Sequence, residues 1–306
     1  MKETRHLTSI DDLTADELRE VIELAATLRT ERKTNAHRTA LYRQSVAMIF
    51  EKPSLRTRVT FETGTNDLGG HAIYLAPADI SIGKRESVQD VALNLSRWVH
   101  MIVARTFAHS TVTGLAEHAS VPVINALSDH EHPCQALAFG QMVLEQRGGF
   151  DGEVMAFIGD GNNVAHSMML FCAKLGVPFI LGCPEGYEMD EAVVSRAREI
   201  GGDVTITYDP AEAVRDATLI YTDVWASMGQ EAETEKRKTL FAPFQVNDEL
   251  MSHAPSHAIV THCLPAHRGE EITDSVLDGP QSRAIEEAEN RLHAQKAAML
   301  FLLGCR

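Results

Sequence analysis

The sequence predicts an α/β protein of two open domains, each built on a parallel β-sheet, with a cleft between them. Three observations lead there. Short apolar segments, several of them continuous β-branched runs, recur along the chain, as expected of strands covered by helices on both faces. Amphipathic stretches of helical period separate them, the alternation that marks α/β folds. The length of 306 residues suffices for two cores of ordinary size. Open sheets of this kind bind ligands beyond the carboxyl ends of their strands.

The first strand candidate, Ser45–Phe50, is apolar from Val46 onward and is closed off by Pro53. Ser54 then suits a helix N-cap, and the helical pattern continues through Thr57, Phe61 and Thr65. The backbone N–H groups of Leu55, Arg56 and Thr57 would leave such a terminus without helical partners, and with the helix dipole they attract phosphate. Arg56 adds a planar fork matched to phosphate oxygens. Arg58 stands four residues before Glu62, so that carboxylate is its expected partner. The plainer alternative is a capped helix with two solvated arginines. A helix over Val88–Trp98 and a strand over His100–Phe107 follow. Arg105 ends an apolar run, where an unpaired charge would be costly, so it faces a bound anion, a polarised carbonyl or a structural salt bridge. After the strand candidate Val121–Ala126, His132-Pro133 introduces a helix over Cys134–Gln146 that stops at Gly148-Gly149. The domains are expected to divide at that proline. His132 and Gln135 flank the start of the helix, in structural or catalytic roles.

The second series opens with a strand over Glu153–Gly159. The turn in "FIGDGNNVAHS" suggests a dinucleotide fingerprint, but Val164 stands where the third glycine would be. Asn162 and Asn163 are better suited to hydrogen-bonding a small polar ligand. Helix and strand candidates then alternate as Val164–Leu175, Pro178–Cys183, Glu191–Ile200, Asp203–Tyr208, Ala211–Asp216 and Leu219–Val224. Asp223 lies at the end of the last of these, ahead of Ser227-Met228-Gly229. It favours a cationic partner such as an amino group, or else caps a helix. The strand His257–Cys263 runs into "THCLPAHRG". Cys263 is open to three readings: nucleophile, soft contact for an amine, or packing. Only His262 stands beside it to activate it, which argues against covalent catalysis. The final helix, Ala284–Leu303, can return to either domain.

A net charge of −15 argues against nucleic acid as a partner, so any anion site must be local. No run approaches the roughly 18 apolar residues of a membrane span. The segment MKETRHLTSIDDL lacks the apolar core of a signal peptide, so no membrane partner and a cytoplasmic location are expected. The cysteines (Cys134, Cys172, Cys183, Cys263, Cys305) form no C-x-x-C pair and signal neither a zinc site nor a disulfide framework.

Taken together, "SLRTR", "HPCQAL", "GDGNN", "DVWASMG", "HCLP" and "AENRLHAQKA" resemble, in order and spacing, the ornithine branch of the aspartate/ornithine carbamoyltransferase family. The resemblance runs from about Arg5 to the end. It implies transfer of a carbamoyl group from carbamoyl phosphate to the δ-amino group of L-ornithine, giving citrulline and phosphate, in arginine biosynthesis or catabolism. It implies a carbamoyl-phosphate domain of residues 1–133 plus 286–306, an ornithine domain of residues 134–285, and a last helix that returns to the first domain. Ser54, Leu55, Arg56 and Thr57 match the phosphate cradle, Arg105, His132 and Gln135 the surroundings of the carbamoyl group, and Arg291 a further ligand of the same substrate. Asn163, Asp223, Ser227 and Met228 match the ornithine site, with the loop from Ser227 to Glu235 as its lid. Cys263 and Leu264 match positions lying between the two substrates. Arg56, Arg105, His132, Asp223 and Cys263 are the expected catalytic set. A homotrimer is implied, with no metal or organic cofactor. Ser81 stands where the family usually has a glutamine that reaches a neighbouring subunit's phosphate, and Phe139 where it usually has an acid.

Overall fold

Strand β1 (Ser45–Phe50) is buried from its second residue to its last, which is why it is written as an uninterrupted apolar run. In the computed structural model, which describes residues 4–36, 38–83, 85–226 and 233–305, the first sheet has the order β2-β1-β3-β4 and every pairing is parallel. Its elements are α1 (Ala15–Lys33), β1, α2 (Leu55–Asp67), β2 (His71–Leu75), α3 (Pro77–Ile80), α4 (Val88–Trp98), β3 (Met101–Arg105), α5 (His109–His118), β4 (Val123–Leu127) and α6 (Pro133–Arg147). Strand β2 is absent from the sequence expectation. As an edge strand it has no fully buried residue, so it lacks the apolar run that marks its neighbours.

The second sheet has the order β7-β6-β5-β8-β9, again wholly parallel. It comprises β5 (Met155–Ile158), β6 (Phe179–Gly182), β7 (Val204–Thr207), β8 (Leu219–Thr222) and β9 (Ile259–His262). The helices around it are α7 (Asn163–Leu175), α8 (Glu191–Glu199), α9 (Pro210–Val214), α10 (Thr234–Phe241), α11 (Asp248–His253) and α12 (Asp274–Leu277), followed by α13 (Ala284–Leu303). The strands are one or two residues shorter at some ends than the apolar segments suggest, since those segments continue into the turns.

The chain forms two compact units, Met1–Glu145 with Glu289–Arg306, and Gln146–Ala288. The division therefore falls near the end of α6, not at the proline that starts it, and near residue 289 rather than 286. The reason is packing. Helix α6 is buried without interruption from Pro133 to Val143. Its Cys134 thiol donates to the Asn125 carbonyl, and its Glu145 pairs with Arg29 of α1. Phe139, at the position where an acid is usual, is 1% exposed and belongs to this core. The last helix returns to the first unit, where Arg29 also pairs with Glu289 and Lys296 reaches Asp67.

Candidate active site

In the first unit the chemistry collects where the strand order reverses. Strand β1 lies between β2 and β3, and Phe50 pairs with Arg105, so the turn leaving β1 and the end of β3 emerge side by side. Ser54 caps α2, its hydroxyl accepting from the Thr57 N–H at 3.2 Å. Leu55, next to the cap, is 74% exposed, so the amide terminus faces outward. Thr57 is buried, and its Oγ1 accepts from Arg291 Nη2 at 3.2 Å and from Arg105 Nη1 at 3.5 Å. Arg291 also donates to the Gln135 side-chain oxygen. His132, at 4% exposure, lies in the field of these cations. Burial, then Arg291, Arg105 and Arg56 in turn, hold its imidazole well below the usual range, so it is neutral at physiological pH. Arg58 behaves as the spacing predicts, pairing with Glu62 at 2.9 Å and lying 3.7 Å over the Tyr74 ring. Ser81 ends α3 in left-handed backbone at φ 43°, and its hydroxyl donates to the Pro77 carbonyl.

In the second unit the strand order reverses between β5 and β8, and the turns leaving those two strands meet. Asn162 caps α7, accepting from the Val164 and Ala165 N–H groups, while its amide nitrogen donates to Asp223 Oδ2 at 2.9 Å. It is therefore a holder of Asp223 rather than a free ligand contact. Asn163 begins α7 and is half-buried. Asp223 is 6% exposed, and its Oδ1 accepts from the Val224 N–H and from the Cys263 thiol at 2.7 Å. Leu264 takes left-handed backbone at φ 53°, and its N–H donates to His262 Nδ1 at 2.8 Å. That fixes the His262 tautomer, leaving Nε2–H to donate to Glu271 at 2.9 Å. Gly161 has a structural cause: a Cβ there would lie 2.4 Å from Met189 N.

Ser227 and Met228 lie outside the described residues, as does part of the expected lid. Two residues that the sequence does not single out stand at these groups. Lys52 is 8% exposed, lies 4.5 Å above the Phe107 ring, and has its pKa lowered by burial and then by Arg105. Arg237 donates to Asp160 at 2.9 Å and to the Trp225 carbonyl at 2.8 Å, fastening the turn after β8 to the turn after β5. Burial pushes Asp160 up to about 6 despite that partner. A local sign of Arg237 is Glu233 four residues earlier, with which it pairs at 3.1 Å.

Two family models match the chain in succession. Residues 5–144 match the carbamoyl-P binding domain of aspartate/ornithine carbamoyltransferase, and residues 151–302 match its Asp/Orn binding domain. An ornithine carbamoyltransferase of Methanosarcina mazei is 51% identical over 98% of this chain and 99% of its own length. One from Thermococcus kodakarensis is 49% identical over 98% of this chain and 96% of its own. Among solved structures, the ornithine carbamoyltransferase of Pyrococcus furiosus superposes with a TM-score of 0.95 at 48% identity, covering 98% of this chain and 97% of that one.

Proposed function

The chain belongs to the aspartate/ornithine carbamoyltransferase family, and on that footing we propose that it transfers the carbamoyl group of carbamoyl phosphate to the δ-amino group of L-ornithine. The observation that carries this reading is the convergence of Arg105 and Arg291 on Thr57 at the outward-facing start of α2. Two guanidiniums beside a helix N-terminus, with Arg56 adjacent, form a strongly positive place in a chain of net charge −15. Such a place suits a compact dianion.

In this mechanism the amides of Leu55 and Arg56 and the Ser54 hydroxyl cradle the phosphate while the Thr57 amide stays in the cap, Arg56 and Arg291 pair with the phosphate oxygens, and Gln135 orients Arg291. Thr57, Arg105 and neutral His132 donate to the carbonyl oxygen, where negative charge gathers as the amine adds. The new N–C bond forms, the C–O bond to phosphate breaks, and the proton shed by nitrogen leaves with phosphate or solvent. Grip on the phosphate speeds the reaction only as far as it tightens while that bond breaks. No protein nucleophile is needed, which accords with a Cys263 thiol that donates to Asp223. Asp223, together with Ser227, is assigned to the α-amino group of ornithine, with Asn163 at its carboxylate and Met228 as a further residue of that site. Cys263 and Leu264 flank the δ nitrogen. That nitrogen must arrive neutral, although a free alkylammonium loses its proton only near pH 10.4. Burial promotes that loss, and so does engaging Asp223 with the other amine.

A homotrimer in the cytoplasm, serving arginine biosynthesis, completes the proposal. A curated relative from Pyrococcus furiosus is named as an anabolic enzyme. All five cysteines are free, as befits a reducing compartment. A nicotinamide enzyme is disfavoured, because Gly161 is explained by the Glu188–Met189 backbone and not by an approaching pyrophosphate. The test is citrulline formation by the pure protein. We expect activity with ornithine far above that with putrescine or aspartate, and a loss of several hundred-fold in Arg56→Ala with the fold retained. Equal turnover of putrescine would overturn the assignment.

A further inference from the structure

Between β9 and α12 the chain turns back on itself, and three side chains there have no part in the reaction just described. His267 Nδ1 lies 3.8 Å from Glu270 Oε2 and 4.0 Å from Glu271 Oε2, and one potential ligand atom from each of the three residues lies within 4.8 Å of the other two. The backbone sets this spacing. The Glu270 N–H donates to the His267 carbonyl at 2.8 Å, and Gly269, at φ 84°, donates to the Ile272 carbonyl at 2.9 Å. Glu271 is fully buried. Its Oε1 accepts from His262 Nε2 at 2.9 Å and from the His267 N–H at 2.6 Å. Its Oε2, on the side of the His267 ring, has no hydrogen-bond partner among the described residues. A buried carboxylate oxygen in that condition is unfavourable, and a cation in front of it removes the penalty. Glu270 is steadied from the far side, where Lys238 Nζ meets Oε1 at 2.9 Å, so that Oε2 faces the imidazole.

We propose that His267, Glu270 and Glu271 bind a divalent transition-metal cation of the zinc type. Imidazole nitrogen and carboxylate oxygen are both zinc donors, and a water would complete a tetrahedron around these three. Metal–ligand bonds of about 2.0–2.2 Å place tetrahedral ligands roughly 3.4 Å apart. The two imidazole–carboxylate separations thus need a contraction of about half an ångström, which the half-exposed His267 ring can supply by rotation, while the two carboxylates, within 4.8 Å of each other, close by up to about 1.4 Å through the partly exposed Glu270 side chain. Magnesium is disfavoured, since it prefers an all-oxygen octahedron rich in water. The cation takes no part in carbamoyl transfer. It fastens the connection between β9 and α12 through the carboxylate that also holds His262.

Asp223, His262 and Cys263 also lie close enough together to take a metal, so the experiment must separate the two groups. Zinc chloride is titrated calorimetrically into the full chain in phosphate-free buffer, and thermal unfolding is followed with and without zinc. The parent, His267→Asn, Glu270→Gln and Cys263→Ser are compared, and cobalt(II) serves as an absorbing substitute. The expected result is one zinc site that raises Tm, is weakened at least about tenfold in both His267→Asn and Glu270→Gln, and survives in Cys263→Ser. The cobalt form should lack a thiolate charge-transfer band, and metal-free His267→Asn should make citrulline within about twofold of the parent. That activity shows the variant folded, and Glu270→Gln provides an independent variant should His267→Asn unfold. Undiminished zinc binding in both His267→Asn and Glu270→Gln, binding abolished only by Cys263→Ser, or no zinc binding by the parent would each overturn the proposal.

Discussion

Thr57 shows how much one hydroxyl can organise, since it accepts from two guanidiniums while its own N–H closes the cap with Ser54. Thr57→Val keeps the shape and removes the acceptor. Citrulline formation should fall a few hundred-fold, about 3–4 kcal/mol of barrier, with the unfolding midpoint little changed. A second consequence concerns His293 of α13, which burial and then Lys296 lower to about 4. Between about pH 4 and 6.5 the unfolded chain takes up a proton at this residue and the folded chain does not, so stability falls as pH drops through that window. The loss amounts to as much as about 1.4 kcal/mol per pH unit for one such group. His293→Gln should flatten this part of a urea-midpoint profile, and an unchanged slope would refute the assignment. At this scale sequence reading succeeds where partners are local and fails where they are not. Arg58 and Glu62 are four residues apart, and their pairing is evident from spacing. Asn162 meets Asp223 across 61 residues, and Arg237 meets Asp160 across 77, so neither role is visible before the strands are paired.

Among the elements, α2 has the most exacting start, because its first turn must be both capped and open to an anion. Ser54→Asp separates those demands. A carboxylate caps a helix about as well as a hydroxyl and interacts favourably with the dipole, so stability should stay within about 0.5 kcal/mol of the parent. The same charge repels phosphate, so the KM for carbamoyl phosphate should rise by an order of magnitude or more. If Ser54→Asp and Ser54→Ala bound carbamoyl phosphate as the parent does, the amide cradle would be wrongly placed. The buried strands were legible because parallel sheets covered on both faces demand continuous apolar runs. Strand β2 was not, being partly exposed at an edge. Helix α6 was legible as a helix but not as to its unit, since burial on all sides gives no single apolar face to say which core it serves.

Over the whole molecule, both groups of residues sit where a parallel sheet reverses its strand order, between β1 and β3 in one unit and between β5 and β8 in the other. Nothing in a linear pattern states strand order. The expected site residues rest on strand ends inferred from the apolar runs and on motifs that resemble a family of known arrangement. The proposed trimer predicts a sedimentation mass about three times the 33.7 kDa of one chain, independent of concentration over the assay range. A monomer of full activity would dismiss it. The first unit is also discontinuous, holding residues on both sides of Gln146–Ala288. A ribosome finishes that inserted stretch before it reaches Arg291, so the second core can condense on the nascent chain while the first still lacks a strut. Newly made protein should therefore acquire its grip on ornithine before its grip on phosphate.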